Sequence, residues 1–277
     1  MKVLAQASGA RSETLLRAAI ERSPKWARRL VLSGYRGSHA HGTYLPPEDP
    51  HSTDDVDVFG VYVASREYYC GVTGYLRQHD TFTSAGEELD IESHELRKFL
   101  ALLCKGNPNV HSHLWLEPED YFGISRAGRI LLARRVGFLS QKVLWAFTGY
   151  AYDQLNRMTK FEKRGYMGAK REQIVQQHGF DVKNAAHCLR LLCTGIELAR
   201  TGKLMVRLTG EIRETVLAVK RGEWSFEKVQ ARARTLFEEF HAEKDKAVLP
   251  PTVEYRFADE TAVAILDAYY EDLEQMA

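Results

Sequence analysis

The chain has 277 residues, with 38 Lys and Arg against 37 Asp and Glu, so its net charge of +1 gives no overall electrostatic case for nucleic acid and leaves any basic surface local. Its 44% hydrophobic content is enough for a sizeable core, in one large domain or two small ones. No apolar run approaches the roughly 20 residues of a membrane-spanning helix, and Met1 to Ala10 lacks a signal-peptide core, so a cytoplasmic protein is expected.

In chain order, Thr14 to Arg22 reads as an amphipathic helix with Leu15, Leu16, Ala19 and Ile20 on one face. Arg29 to Tyr35 reads as a strand, and Gly34 and Gly37 bracket the turn after it. Tyr44 to Thr53 contains Pro46, Pro47 and Pro50 and reads as a loop. Val56 to Val63 has the β-branched pattern of a buried strand, and Leu89 to Ser93 of a third. Glu95 to Cys104 reads as a helix that stops before Gly106-Asn107-Pro108. Beyond about Gly123 the periodicity turns helical over Arg129–Arg135, Leu139–Met158, Val182–Thr201, Glu211–Lys220, Phe226–Glu243 and Ala258–Met276, with breaks at Arg164–Arg171 and Thr201–Gly210. The expectation is an α+β fold: an α/β-like core over residues 1–122 and a mainly helical lobe over 123–277.

The chemistry concentrates in Gly37-Ser38-His39-Ala40-His41-Gly42 and in Asp55-Val56-Asp57. Alternation along a strand puts Asp55 and Asp57 on one face. Paired carboxylates suit Mg²⁺, with Mn²⁺ as a substitute, because these hard ions take oxygen ligands and keep substrate phosphate among them. Gly37 permits close backbone approach, and the Ser38 hydroxyl and free N–H groups can hold a triphosphate. Asp90 is the best third carboxylate, as metal ligand and general base, with Glu92 in reserve. A lone Asp-x-Asp or a lone Gly-Ser is common in structural turns; their order, with strands between, points to nucleotidyl transfer.

Gly37-Ser38-x-x-x-Gly42 followed by Asp55-x-Asp57 resembles the nucleotidyltransferase superfamily typified by DNA polymerase beta. Glu95 to Leu100, Lys105 to Asn109, Asp181 to Leu192, Ile212-Arg213 and Arg221 to Trp224 narrow the resemblance to the nucleotidyltransferases associated with an RNA-ligase repair pathway, over roughly Val31 to Phe240. The resemblance implies a polymerase-beta-type mixed sheet and Mg²⁺-dependent transfer of a nucleoside monophosphate from a nucleoside triphosphate such as ATP, with pyrophosphate release. The implied acceptor is an RNA end; a protein or small-molecule acceptor, or a non-catalytic nucleotide-binding protein, are the alternatives. The chain departs from the family pattern at His39, His41 and Glu92 and in its longer loop before Asp55.

Lys183, His187 and Arg190 fall on one helix face by spacing, which alone favours a solvated face. They match the most specific segment of the resemblance, which makes them expected nucleotide contacts; Lys170 and Arg171, after Gly165 and Gly168, read equally as a further phosphate contact or as a basic surface turn. Four cysteines without pairing motifs (Cys70, Cys104, Cys188 and Cys193) read as reduced core residues, His111 and His113 as buried or capping, Trp115, Trp145 and Trp224 as core anchors, Tyr68-Tyr69 as packing, and Asn107 and Asn109 as turn residues.

Overall fold

A computed structural model describes residues 10–24, 27–72, 80–86, 89–159 and 168–275; Gly165 and Met276 lie outside them. The chain divides into two compact units, Met1–Ala40, Asp55–Leu139 and Thr252–Ala277 in one, and His41–Asp54 and Ser140–Pro251 in the other.

The first unit contains helix α1 (Ala10–Arg22), strand β1 (Leu30–Tyr35), the single turn α2 (Gly37–Ala40), β2 (Val56–Tyr62), α3 (Arg66–Cys70), β3 (Thr81–Ser84), β4 (Leu89–Glu95), α4 (Leu96–Cys104), α5 (Pro108–His113), β5 (Tyr121–Ile124) and α6 (Arg126–Ala133). The strands form one mixed sheet in the order β3-β4-β2-β1-β5. β2 and β4 run parallel, and the other pairs are antiparallel. The parallel step needs a crossover connection, and the segment carrying α3 and β3 supplies it.

Pleating sorts the side chains of β2 and β4. Val58 and Ile91 turn into a cluster with Ala19 of α1 and Phe122 of β5, where Leu15 and Leu16 also pack. Asp57 and Asp90, each one residue away, therefore leave by the opposite face. On that face Phe59 meets the rings of His94, Phe99 and His113. α4 begins where the Glu95 side chain accepts from the N–H groups of Arg97 and Lys98. Asn107 caps α5 in the same way, with Pro108 at its first position, so the turn reading of Asn107 holds. His111 and His113 are buried on α5, and burial pulls their pKa values down to about 4 and about 3.

The second unit is built from α7 (Gln141–Arg157), α8 (Ala169–His178), α9 (Val182–Thr201), α10 (Gly210–Lys220) and α11 (Phe226–Lys244). α9 is apolar nearly all round because α7, α10 and α11 pack against it. The segment His41–Asp54 belongs to this unit and buries Leu45 and Ser52, whose hydroxyl donates to Leu45 O. The last helix, α12 (Tyr255–Glu274), returns to the first unit and packs on α6 and α4. Helical periodicity carries no information about which unit a helix joins, so only packing assigns α12 to the sheet.

Some expectations are corrected. α8 begins at Ala169 and occupies the C-terminal part of the expected break at Arg164–Arg171. Cys70 is exposed on α3, whereas Cys104 and Cys188 are buried. Trp145 is 53% exposed, with Lys244 Nζ over its ring, so it is no core anchor. Tyr68 and Tyr69 pack against each other and under Arg97, in agreement with their structural reading.

Candidate active site

β1 leads directly into the Gly37-Ser38 turn. Arg36 N–H donates to Asp57 O, extending the β1–β2 ladder by one residue and laying the turn against β2. Gly37 then has φ +62°, a backbone conformation that side chains with a Cβ rarely adopt. A Cβ at Gly37 would enter the space of the Asp57 carboxylate, 3.2 Å from its Cγ and closer still to Oδ2. The glycine is therefore required twice: by its backbone angle and by its contact with Asp57.

Asp57 and Asp90 are direct partners in the parallel β2–β4 register. Adjacent strands lie about 4.8 Å apart, so the two carboxylates leave the same face side by side. Asp90 Oδ1 accepts from Gly86 N–H at 3.0 Å. Asp55 is exposed and precedes β2 by one residue; it lies at the mouth of the strand rather than within it. Ser38 is half-buried in α2, a single turn too short for a helix dipole to build up.

Glu92, the reserve carboxylate, is occupied. Arg36 donates to its Oε2, and His94 Nε2 lies 3.3 Å from its Oε1. The Arg36–Glu92 pair ties the Gly-Ser turn to the strand that carries Asp90. Arg36 stands beside Gly37 in sequence, but nothing in its spacing identified this partner.

The oxygen donors at Asp55, Asp57 and Asp90 are chemically suited to Mg²⁺, which takes one or two carboxylates and completes its shell with phosphate and water. Among the described residues no three His, Cys, Asp or Glu side chains are grouped to hold an ion by themselves.

The other expected contacts all belong to the helical unit. Lys170 is exposed in the first turn of α8. Arg171 is committed to Asp181 Oδ2 at 2.7 Å and to Asn184 Oδ1 at 3.1 Å, and Asp181 in turn caps α9. Lys183 Nζ donates to Thr53 O at 2.9 Å and lies 3.5 Å from Asp54 Oδ1. His187 is half-buried and Arg190 is buried, so this stripe of α9 is not a solvated face.

Sequence reasoning passed over Asp54 and Lys220, and named Arg213 only within the Ile212-Arg213 segment of the resemblance. Lys220 donates to Thr43 O at 2.8 Å and to Asp54 Oδ2, and Arg213 Nε donates to Gly42 O at 2.7 Å. Burial pushes the Asp54 pKa up, but the neighbouring Lys220 and Lys183 outweigh it and leave it below the usual carboxylate range. For Lys220 burial wins over the attraction of Asp54, and its pKa falls. A lysine on the apolar side of α10, after Val216, Leu217 and Val219, was the available signal.

The family model described as the RNA repair pathway DNA polymerase beta family matches residues 11–271. A solved structure of a nucleotidyltransferase-like protein from Exiguobacterium sibiricum is similar over 84% of this chain and 74% of its own, at 12% identity and a TM-score of 0.26. No curated protein matches the chain.

Proposed function

We propose, for a chain that belongs to the RNA repair pathway DNA polymerase beta family, that it moves a nucleoside monophosphate from a nucleoside triphosphate to an acceptor hydroxyl, with an RNA end as the acceptor. The reading rests on one observation: Asp57 and Asp90 stand side by side on parallel strands with the Gly37 backbone packed on Asp57.

Asp55, Asp57 and Asp90 would hold Mg²⁺, which when bound supplies charge neutralisation for the transferring phosphoryl group. The Ser38 hydroxyl donates to an outer phosphate oxygen. Asp90 takes the proton of the attacking hydroxyl as its oxygen bonds to the α-phosphorus, while the bond to the β-phosphate breaks and pyrophosphate leaves. Gly86 N–H, already on Asp90 Oδ1, fixes the carboxylate. Lys170, Lys183, His187 and Arg190 are proposed as nucleotide-binding residues.

The test incubates the protein with each α-labelled triphosphate, Mg²⁺ or Mn²⁺, and RNA, protein or small-molecule acceptors. Label in RNA with pyrophosphate release is expected, and Asp57→Asn removes it without unfolding the protein. Label in a protein or small molecule moves the acceptor class. No transfer with any acceptor removes the enzymatic reading.

A further inference from the structure

The helical unit buries more positive charge than it neutralises. Lys183 and Lys220 both converge on the single carboxylate of Asp54. Arg190, one face of α9 further on, is 5% exposed, and its Nε has no hydrogen-bond partner among the described residues. No carboxylate raises its pKa; burial alone draws it down to about 10. Lys220 is acted on by Asp49 as well as Asp54, so both lysines have carboxylates to meet, whereas Arg190 has none among the described residues.

Two imidazoles feel the charge of this guanidinium, one of them His187, which is three residues before Arg190 on α9. His41, 7% exposed, and the half-buried His187 are both held well below the usual histidine range, first by burial and then by the charge of Arg190. Lys220 acts on both, and Lys183 and Arg171 act further on His187. His41 Nδ1 lies 3.2 Å from Val206 O. A carbonyl oxygen only accepts, so Nδ1 carries the proton in the neutral ring, and Nε2 donates to an anion only once the ring takes up a second proton.

An ionised group taken out of water without a counter-charge is costly, and removing it is commonly neutral or stabilising. A guanidinium kept in this state fits a site that is completed by an anion. A multiply charged oxyanion beside Arg190 raises both imidazoles toward their protonated, donating form, and the planar guanidinium fork matches phosphate oxygens in a bidentate fashion. Lys183, at the more exposed end of the same helix face, is already held by Asp54 and Thr53.

We propose that Arg190, His41 and His187 form a buried subsite for a polyphosphate oxyanion within the helical unit. This narrows the nucleotide-binding residues proposed above to Arg190 and His187 and adds His41. It rests on that reading only for the ligand's origin, not for the existence of the site.

The test is calorimetric titration of the full-length protein with tripolyphosphate, orthophosphate and ATP, in wild type, Arg190→Gln and His41→Gln. Tripolyphosphate is expected to bind wild type, at least tenfold more weakly to Arg190→Gln, and to raise the Tm of wild type in proportion to its concentration. Without anion, Arg190→Gln is expected to keep or raise the Tm, because an unpaired buried charge is gone. ATP binding as tightly as tripolyphosphate assigns the site to a nucleotide tail; weaker ATP binding assigns it to free polyphosphate. Wild type that binds none of the three, or Arg190→Gln that binds tripolyphosphate as well as wild type, overturns the proposal. Should Arg190→Gln fail to fold, the His41 and His187 ring resonances of wild type decide: movement on adding tripolyphosphate supports the site, and none overturns it. Arg190-dependent binding in a protein that transfers no nucleotide would leave this site standing and remove the function proposed above; transfer without any Arg190-dependent binding would do the reverse.

Discussion

Gly37→Ala tests whether the Gly-Ser turn fixes the metal-ligand geometry. The substitution has two separable costs. Alanine at φ +62° pays the left-handed penalty of about 1–2 kcal/mol. Its methyl would also lie 3.2 Å from Asp57 Cγ and nearer to Oδ2 than Cβ atoms come in real proteins. The carboxylate must then retreat by on the order of 1 Å, a displacement that costs about 10²-fold in rate when it affects a reacting group. Gly202→Ala is the control, because Gly202 has φ +67° but nothing within 4 Å of the added carbon. Both variants should lose the backbone share of stability in thermal unfolding, Gly37→Ala more by its contact with Asp57, whereas only Gly37→Ala should lose transfer of labelled nucleotide. Gly37→Ala transferring at a rate within threefold of wild type, or Gly202→Ala losing as much activity, would refute the argument that Gly37 positions Asp57.

Other expectations follow from the same geometry. Lys220→Met leaves the buried Asp54 with Lys183 alone and should cost about 3 kcal/mol in urea unfolding, with Asp54→Leu on the same background recovering part of it. Because the folded-state pKa of Asp54 is lowered, its contribution is present above the unfolded value of about 3.9 and is lost as pH falls through the lower folded value; the difference between wild type and Lys220→Met should shrink only there. Asp181→Ala removes the α9 cap and the Arg171 partner together and should cost more than the ~1 kcal/mol of a cap alone, whereas Asp181→Asn should keep the cap and lose only the ion pair. His113 is neutral in the folded protein, with burial and then the charges of Arg36 and His94 pulling its pKa down to about 3. Below its unfolded value of about 6.5 the unfolded chain takes up the proton and the folded one does not, so His113 adds up to about 1.4 kcal/mol per unit to the loss of stability as pH falls, and His113→Phe should lower the slope by that share between pH 6.5 and 5 while His41, His111 and His187 keep theirs.

What the sequence displayed and what it concealed divide along a physical line. Strand register follows from short-range alternation, and the β-branched residues around Asp57 and the apolar pair around Asp90 carried enough of it to place both aspartates on the same side of one sheet. The helix stop at Gly106-Asn107-Pro108 was legible for the same reason, since capping and proline chemistry act within a few residues. Thr81–Ser84 and Tyr121–Ile124 escaped because four-residue edge strands offer too few alternations to stand out from a loop, and their pairing partners lie far along the chain. The charges in the helical unit were hidden more deeply. Lys183, His187 and Arg190 share one spacing, and spacing cannot tell that Lys183 meets Asp54 across about 130 residues while Arg190 meets no carboxylate among the described residues. That difference arises from the packing of His41–Asp54 into a helical unit whose helices begin a hundred residues later. One sequence motif therefore holds two kinds of residue: a lysine whose charge is spent on holding the segment before Asp55, and an arginine whose charge has no carboxylate partner among the described residues.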